Sequence, residues 1–133
     1  MARLLLEHEG IDVNISDNIG STALHHAASH DETSELLASL LSQSDLTISV
    51  NQRDRFGKTP LWLAVDFDAV RCVQVLISDQ RTDPNIKDDF GDSPLMLAVK
   101  RNYVACVELL LADPRVDLMT RDNYQRSGEE LAR

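Results

Sequence analysis

Several kinds of residue and pattern are scarce or missing in this chain, and each absence narrows what it can be. Basic residues are outnumbered, 13 Lys and Arg against 22 Asp and Glu, giving a net charge of −9 and a pI near 4.7. That balance disfavours a nucleic-acid partner. No apolar run is long enough to cross a bilayer. Leu4-Leu5-Leu6 is too short for a signal-peptide core and meets Glu7 at once. No G-x-S-x-G elbow, Walker loop or dinucleotide fingerprint occurs. Aromatic residues make up only 5%, so the few present carry information by their positions.

The rest of the composition, 43% hydrophobic and 26% charged over 133 residues, describes one soluble globular piece and a single domain. Its organisation comes from repetition. Asp54-Arg55-Phe56-Gly57-Lys58-Thr59-Pro60-Leu61-Trp62-Leu63-Ala64 returns as Asp88-Asp89-Phe90-Gly91-Asp92-Ser93-Pro94-Leu95-Met96-Leu97-Ala98. An earlier copy starts at Asp17 and includes Gly20, and a worn one starts at Asp122 with Gln125 in place of glycine. These anchors are 37, 34 and 34 residues apart. A fixed period of this size signals stacked supersecondary units, each unable to bury its apolar face alone.

One unit can be read from its chemistry. Gly57 supplies the positive φ of a tight turn. Thr59 is placed to cap a helix, and Pro60 suits the first helical position, whose amide has no partner in any case. A second helix follows, with Val70, Cys72, Val73, Val75, Leu76 and Ile77 mostly at helical spacing. The unit is therefore turn, short helix, second helix and extended return.

These residues resemble the ankyrin-repeat family. Thr59-Pro60-Leu61 and Ser93-Pro94-Leu95, with Thr22-Ala23-Leu24-His25-His26-Ala27, are similar to its T-P-L-H-x-A pattern. The resemblance covers essentially the whole chain. It implies an all-α solenoid of helix-turn-helix units with β-turn fingers. The expected divisions are a half repeat at 1–16, repeats at 17–53, 54–87 and 88–121, and a partial repeat at 122–133. Half repeats at the two ends are what an excised piece of a longer array would have. Their exposed apolar surface could self-associate, although a monomer is expected. Ser127 and Glu130 have capping-box spacing, so the C-terminal end could also be a natural cap.

Two departures from the family pattern stand out. Asp31, Asp68 and Asn102 replace the glycine usual between the two helices, and are expected to take left-handed backbone in its place. The longer first interval is expected to bulge in or around residues 42–47. The core is expected to include Leu24, Ala27, Leu37, Leu40, Leu41, Leu61, Ala64, Val73, Leu76, Leu95, Ala98, Val107 and Leu110, with Leu76→Ala costing about 2–5 kcal/mol. Cys72 and Cys106 share a repeat position. Matching places on stacked helices lie roughly 8–10 Å apart, too far for a disulfide, so buried thiols in a reducing compartment are expected.

His25, His26 and His30 give the strongest enzyme-like signal. His25 takes the family's usual histidine position, which is structural, and the break expected near Asp31 spoils the i,i+4 geometry of His26 and His30. No cysteine or carboxylate completes a zinc set. Catalytic, cofactor and metal sites are therefore all expected to be absent.

The resemblance implies a concave surface formed by the turn tips and the inner helix faces. Ile19, Phe56, Phe90 and Tyr124 precede the turn glycine or its equivalent, and Phe67 maps to an inner helix face. Basic neighbours mapped there include Arg55, Lys58, Lys100, Arg101 and Arg126, while Asp66, Asp89 and Asp92 oppose them. An apolar strip rimmed by charge has the makeup of an interaction hot spot. The alternatives are packing between neighbouring fingers, which could coexist with binding, and ordinary basic usage before a turn. Trp62 is core, groove floor or ligand contact. Asn14, with Leu6 eight residues before it and Asp12-Val13 just ahead, resembles a site of asparaginyl hydroxylation; a structural asparagine satisfying its own turn is the other reading.

The function expected is a non-enzymatic, intracellular (cytoplasmic or nuclear) protein-interaction module. Its partner is expected to be an apolar protein segment with acidic flanks, with neither nucleic acid nor membrane bound. The rival is a rigid architectural spacer within a larger protein. A metal-dependent or catalytic domain built on the histidines is a weaker third reading.

Overall fold

Each unit begins where an aspartate folds the backbone around its own side chain. In the computed structural model, which describes residues 16–43 and 49–118, the Asp17 carboxylate accepts the amides of Ile19 and Ser21 at 3.0 and 2.9 Å. Asp54 accepts those of Phe56 and Lys58, both at 2.9 Å. Asp88 accepts those of Phe90 and Asp92 at 3.1 and 2.9 Å. The turn glycines have φ of 80°, 79° and 86° at Gly20, Gly57 and Gly91, the left-handed region where a side chain is strained. Neighbouring fingers are joined through their backbones. The Arg55 amide donates to the Ile19 carbonyl at 2.7 Å, and the Asp89 amide to that of Phe56 at 3.0 Å.

From each finger the chain enters an inner helix: α1 (Ala23–Ala28), α3 (Pro60–Asp66) and α5 (Pro94–Arg101). Thr59 and Ser93 start the latter two by accepting the amides of Trp62 and Met96 at 3.1 and 3.3 Å, with proline at the first position. The outer helices are α2 (Ser34–Gln43), α4 (Val70–Ser78) and α6 (Val104–Leu111). Inner helices pack on inner ones and outer on outer, and each pair closes across its own unit. No strand occurs among the described residues. The result is an all-α solenoid.

The breaks between helices differ from expectation at one place. Asp68 and Asn102 do take left-handed backbone, at φ 51° and 58°. Asp31 does not. There the chain passes through an extended His30, φ −140°, into a 3₁₀ turn over Asp31–Thr33. The cause is one additional residue between the helices. The buried Leu37 and Leu40 precede Val73 and Leu76 by 36 positions, whereas Gly20 precedes Gly57 by 37. One of the three extra residues thus sits in this turn, and the other two lie between Leu41 and Val50.

The core forms as expected, except that Val107 is only half-buried. It also takes in Trp62, Val65, Met96 and Leu97. Cys72 and Cys106 are buried free thiols. Cys72 donates to the His30 carbonyl at 3.1 Å and Cys106 to the Asp68 carboxylate at 3.4 Å. Burial, with nearby carboxylates, pushes their pKa values up to about 11 and about 12, so both stay protonated and inert as nucleophiles.

Candidate protein-interaction surface

The finger geometry holds the residue before each turn glycine out towards solvent. Ile19, Phe56 and Phe90 are 42%, 44% and 70% exposed, and Phe67, closing α3, is 58% exposed. Leu118, and Val104 and Leu111 on the outer helix α6, are exposed as well, so it is the recurrence at one place on successive fingers, rather than exposure alone, that sets these residues apart. The Phe67 ring lies stacked against that of His30, with centroids 6.2 Å apart. Of the remaining sequence-derived candidates, Tyr124, Arg126 and Asn14 lie outside the described residues.

Ile19, Phe56, Lys58 and Phe67 come together. With Leu63, His26, Ser29, Asp54 and Asp66 they line an open concavity of about 250 Å³ between the first two fingers and the inner helices below them. Phe90 stands one finger further along the stack and is not part of this lining. Lys58 lies with its ammonium 4.7 Å from the Trp62 ring centroid and 5.4 Å from that of Phe56, within cation–π range of both.

The basic residues of this face are mostly held by its own carboxylates. Arg101 pairs with Asp66 at 2.9 Å, Lys100 with Asp92 at 2.6 Å and Arg53 with Asp89 at 3.3 Å. Arg55 is exposed and has no ion pair among the described residues. The face is therefore less positive than its count of Lys and Arg suggests, because Asp66, Asp89 and Asp92 lie within reach of those cations.

The histidines divide by environment. His25 is buried; its Nδ1 accepts the Thr22 amide at 3.0 Å, so the proton sits on Nε2, which donates to the Lys58 carbonyl at 2.9 Å. Burial lowers its pKa, with the bond to Lys58 opposing. His26 faces solvent and bonds the Asp17 carboxylate at 3.0 Å. As α1 ends at Ala28, His26 and His30 do not share a continuous helix. Among the described residues no cluster of three or more His, Cys, Asp or Glu could hold a metal ion.

Trp62 occupies the position of His25 in the next unit, and does the same work. It is buried, and its indole N–H donates to the Asp92 carbonyl at 3.0 Å, just as His25 donates to Lys58. Each ring ties an inner helix to the finger that follows. Trp62 is thus core, with Lys58 resting on it.

Two further ladders link successive units. Asn51 donates to the Arg81 carbonyl and accepts the Asp83 amide, at 2.9 and 2.8 Å. Asn85 repeats this with Arg115 and Asp117 at 2.8 and 2.7 Å. The Arg81 guanidinium reaches back to the Leu41 carbonyl, and Arg115 to those of Ile77 and Thr82, each at 2.8 Å. No motif marks these residues; their signal is recurrence at the repeat spacing.

Fingers, paired helices and bridging returns at a regular period define a helical repeat protein with a grooved inner face. Comparison with known proteins agrees. A family model for ankyrin repeats in three copies matches residues 31–122, and one for ankyrin repeats in many copies matches residues 1–37. The chain belongs to the ankyrin-repeat family. Over 70 residues it is 37% identical to Neurogenic locus notch homolog protein 1 of Homo sapiens and 39% identical to the Xenopus laevis protein of that name. Each match covers 53% of this chain and 3% of the relative, so the chain corresponds to a small part of those proteins. Ankyrin repeats are in general non-enzymatic protein–protein interaction modules. Among the described residues, no helix is long and apolar enough to cross a membrane.

Proposed function

We propose that this chain binds a protein partner through its concave finger and inner-helix face, with 17–53, 54–87 and 88–121 acting as the repeating units. One observation carries the reading. Ile19, Phe56 and Phe90 stand exposed at the same place on three successive fingers, although the turns are already held by the aspartates and by backbone bonds between fingers. Large apolar side chains in that position add little to the fold and much to a contact. The reading extends to Phe67, Arg55, Lys58, Lys100 and Arg101, and to Tyr124 and Arg126 at the matching positions of the next repeat in the sequence. Because Lys100 and Arg101 are internally paired, they serve as a polar rim that sets orientation more than affinity.

A spacer role is the second reading. The bridging Asn and Arg ladders favour it, since they stiffen the stack regardless of any partner. Affinity capture with the wild-type chain and a Phe56→Ala/Phe90→Ala double variant separates the two. Both proteins should unfold at the same denaturant concentration, and a specific partner should be recovered by the wild type alone. Equal recovery by the two forms would remove these fingertips from the site.

A further inference from the structure

We infer that Lys58 makes the concavity between the first two fingers selective for a partner segment bearing an apolar side chain next to a carboxylate. The inference rests on the interaction reading above and names what this part of the face accepts.

Lys58 differs from most of the cations around it, and from Arg55, equally unpaired among the described residues, in lying over aromatic rings. Arg53, Lys100 and Arg101 each have a carboxylate of this chain within ion-pair distance. Lys58 has none among the described residues. Its ammonium is held instead over Trp62 and Phe56, at 4.7 and 5.4 Å from the ring centroids. Aromatic faces orient a cation through their quadrupole but bring no countercharge. The carboxylates in the same concavity are engaged elsewhere. Asp54 accepts the two amides of its own turn, and Asp66 pairs with Arg101. A positioned positive charge is left beside an apolar lining of Ile19, Phe56, Leu63 and Phe67.

Size and solvation then choose the occupant. About 250 Å³, open to solvent, falls below the roughly 300–1,000 Å³ usual for small-molecule pockets. It suits one or two side chains of a longer segment. A purely apolar segment laid over it would take the Lys58 ammonium out of water with nothing to pair it, which is costly. A carboxylate on that segment removes the penalty. Selectivity thus arises from the cost to the wrong partner as much as from attraction to the right one.

The test selects phage-displayed random peptides on the whole chain in four forms: wild type, Lys58→Glu, Lys58→Met and Phe56→Ala/Phe67→Ala. Residue 58 should tolerate exchange, because its contribution to the turn is made by its backbone and the matching residues are Ser21 and Asp92. Wild-type selection should enrich Asp or Glu beside a large apolar residue. Lys58→Met should lose the acidic preference, and Lys58→Glu should turn it towards Lys or Arg while weakening the original peptides by about tenfold or more. The double phenylalanine variant should retain none of them. Enrichment indifferent to acid, or an acidic preference unchanged in Lys58→Glu, would overturn the inference while leaving the interaction reading in place if Phe56 and Phe67 are still required. Peptides binding the phenylalanine variant undiminished would overturn both, and no enrichment at all would overturn the inference.

Discussion

His25 has its tautomer fixed from both sides, by the Thr22 amide on Nδ1 and the Lys58 carbonyl facing Nε2. Burial holds its pKa below the usual 6.5, so the unfolded chain takes up the proton first as pH falls. Stability should therefore be level above about pH 6.5, decline below it, and level off under the folded pKa. His25→Met places there the residue found at the matching position, Met96. It should cost about 1–3 kcal/mol at neutral pH, because the buried Thr22 amide loses its acceptor, and should flatten this part of the pH dependence in urea unfolding. The glycines make a second test at this scale. A methyl group at Gly57 would run into the Asp89 carboxylate and lie 2.8 Å from the Asp89 backbone nitrogen, whereas at Gly20 the nearest atom is 3.1 Å away. Both alanine variants carry the left-handed strain of about 1–2 kcal/mol, so Gly57→Ala should lower the unfolding midpoint more than Gly20→Ala. The need for glycine was legible in the sequence. The additional crowding at Gly57 was not, because it comes from Asp89 in the next finger and from the Arg53 guanidinium.

At the level of elements, the C-terminal carbonyls of the outer helices are met by arginines from the following return. Arg115 reaches Ile77 near the end of α4, and Arg81 reaches Leu41 in the last turn of α2, where cations also favour the helix dipole. Each guanidinium is oriented by a carboxylate two residues before it. Arg115→Lys keeps the charge but cannot span Ile77, Thr82 and Asp113 at once. It should cost about 0.5–2 kcal/mol, measured by denaturant unfolding. Bonding to Arg81 and Arg115 holds the Asp79 and Asp113 carboxyls below their usual 3.8. Their stabilisation is complete above that value and is lost as pH drops through the folded pKa, separately from the His25 step. Helix starts were legible because Thr59-Pro60 and Ser93-Pro94 carry their own capping chemistry. The Asp31 break was misjudged, since a residue type that tolerates left-handed backbone does not require it, and one extra residue offered a 3₁₀ turn instead.

Across the whole molecule the period of 34 to 37 residues makes the stack legible, since each unit must cover the apolar face of the next. The candidate surface was legible only in outline. Exposure of Ile19, Phe56, Phe67 and Phe90 followed from the turn and helix positions, but the neutralisation of Lys100 and Arg101 depends on Asp92 and Asp66 lying within reach across turns and units. The orientation of Lys58 likewise needs Trp62 and Phe56 side by side. The central claim is that partners meet the finger and inner-helix face, not the outer helices. It is tested most directly by photo-crosslinking, with a photoactivatable phenylalanine analogue placed singly at 56, 90, 104 or 111. All four positions are exposed, the last two on the outer helix α6. With a captured partner present, adducts should form from positions 56 and 90 and not from 104 and 111. Adducts from 104 or 111, with none from 56 and 90, would contradict the account.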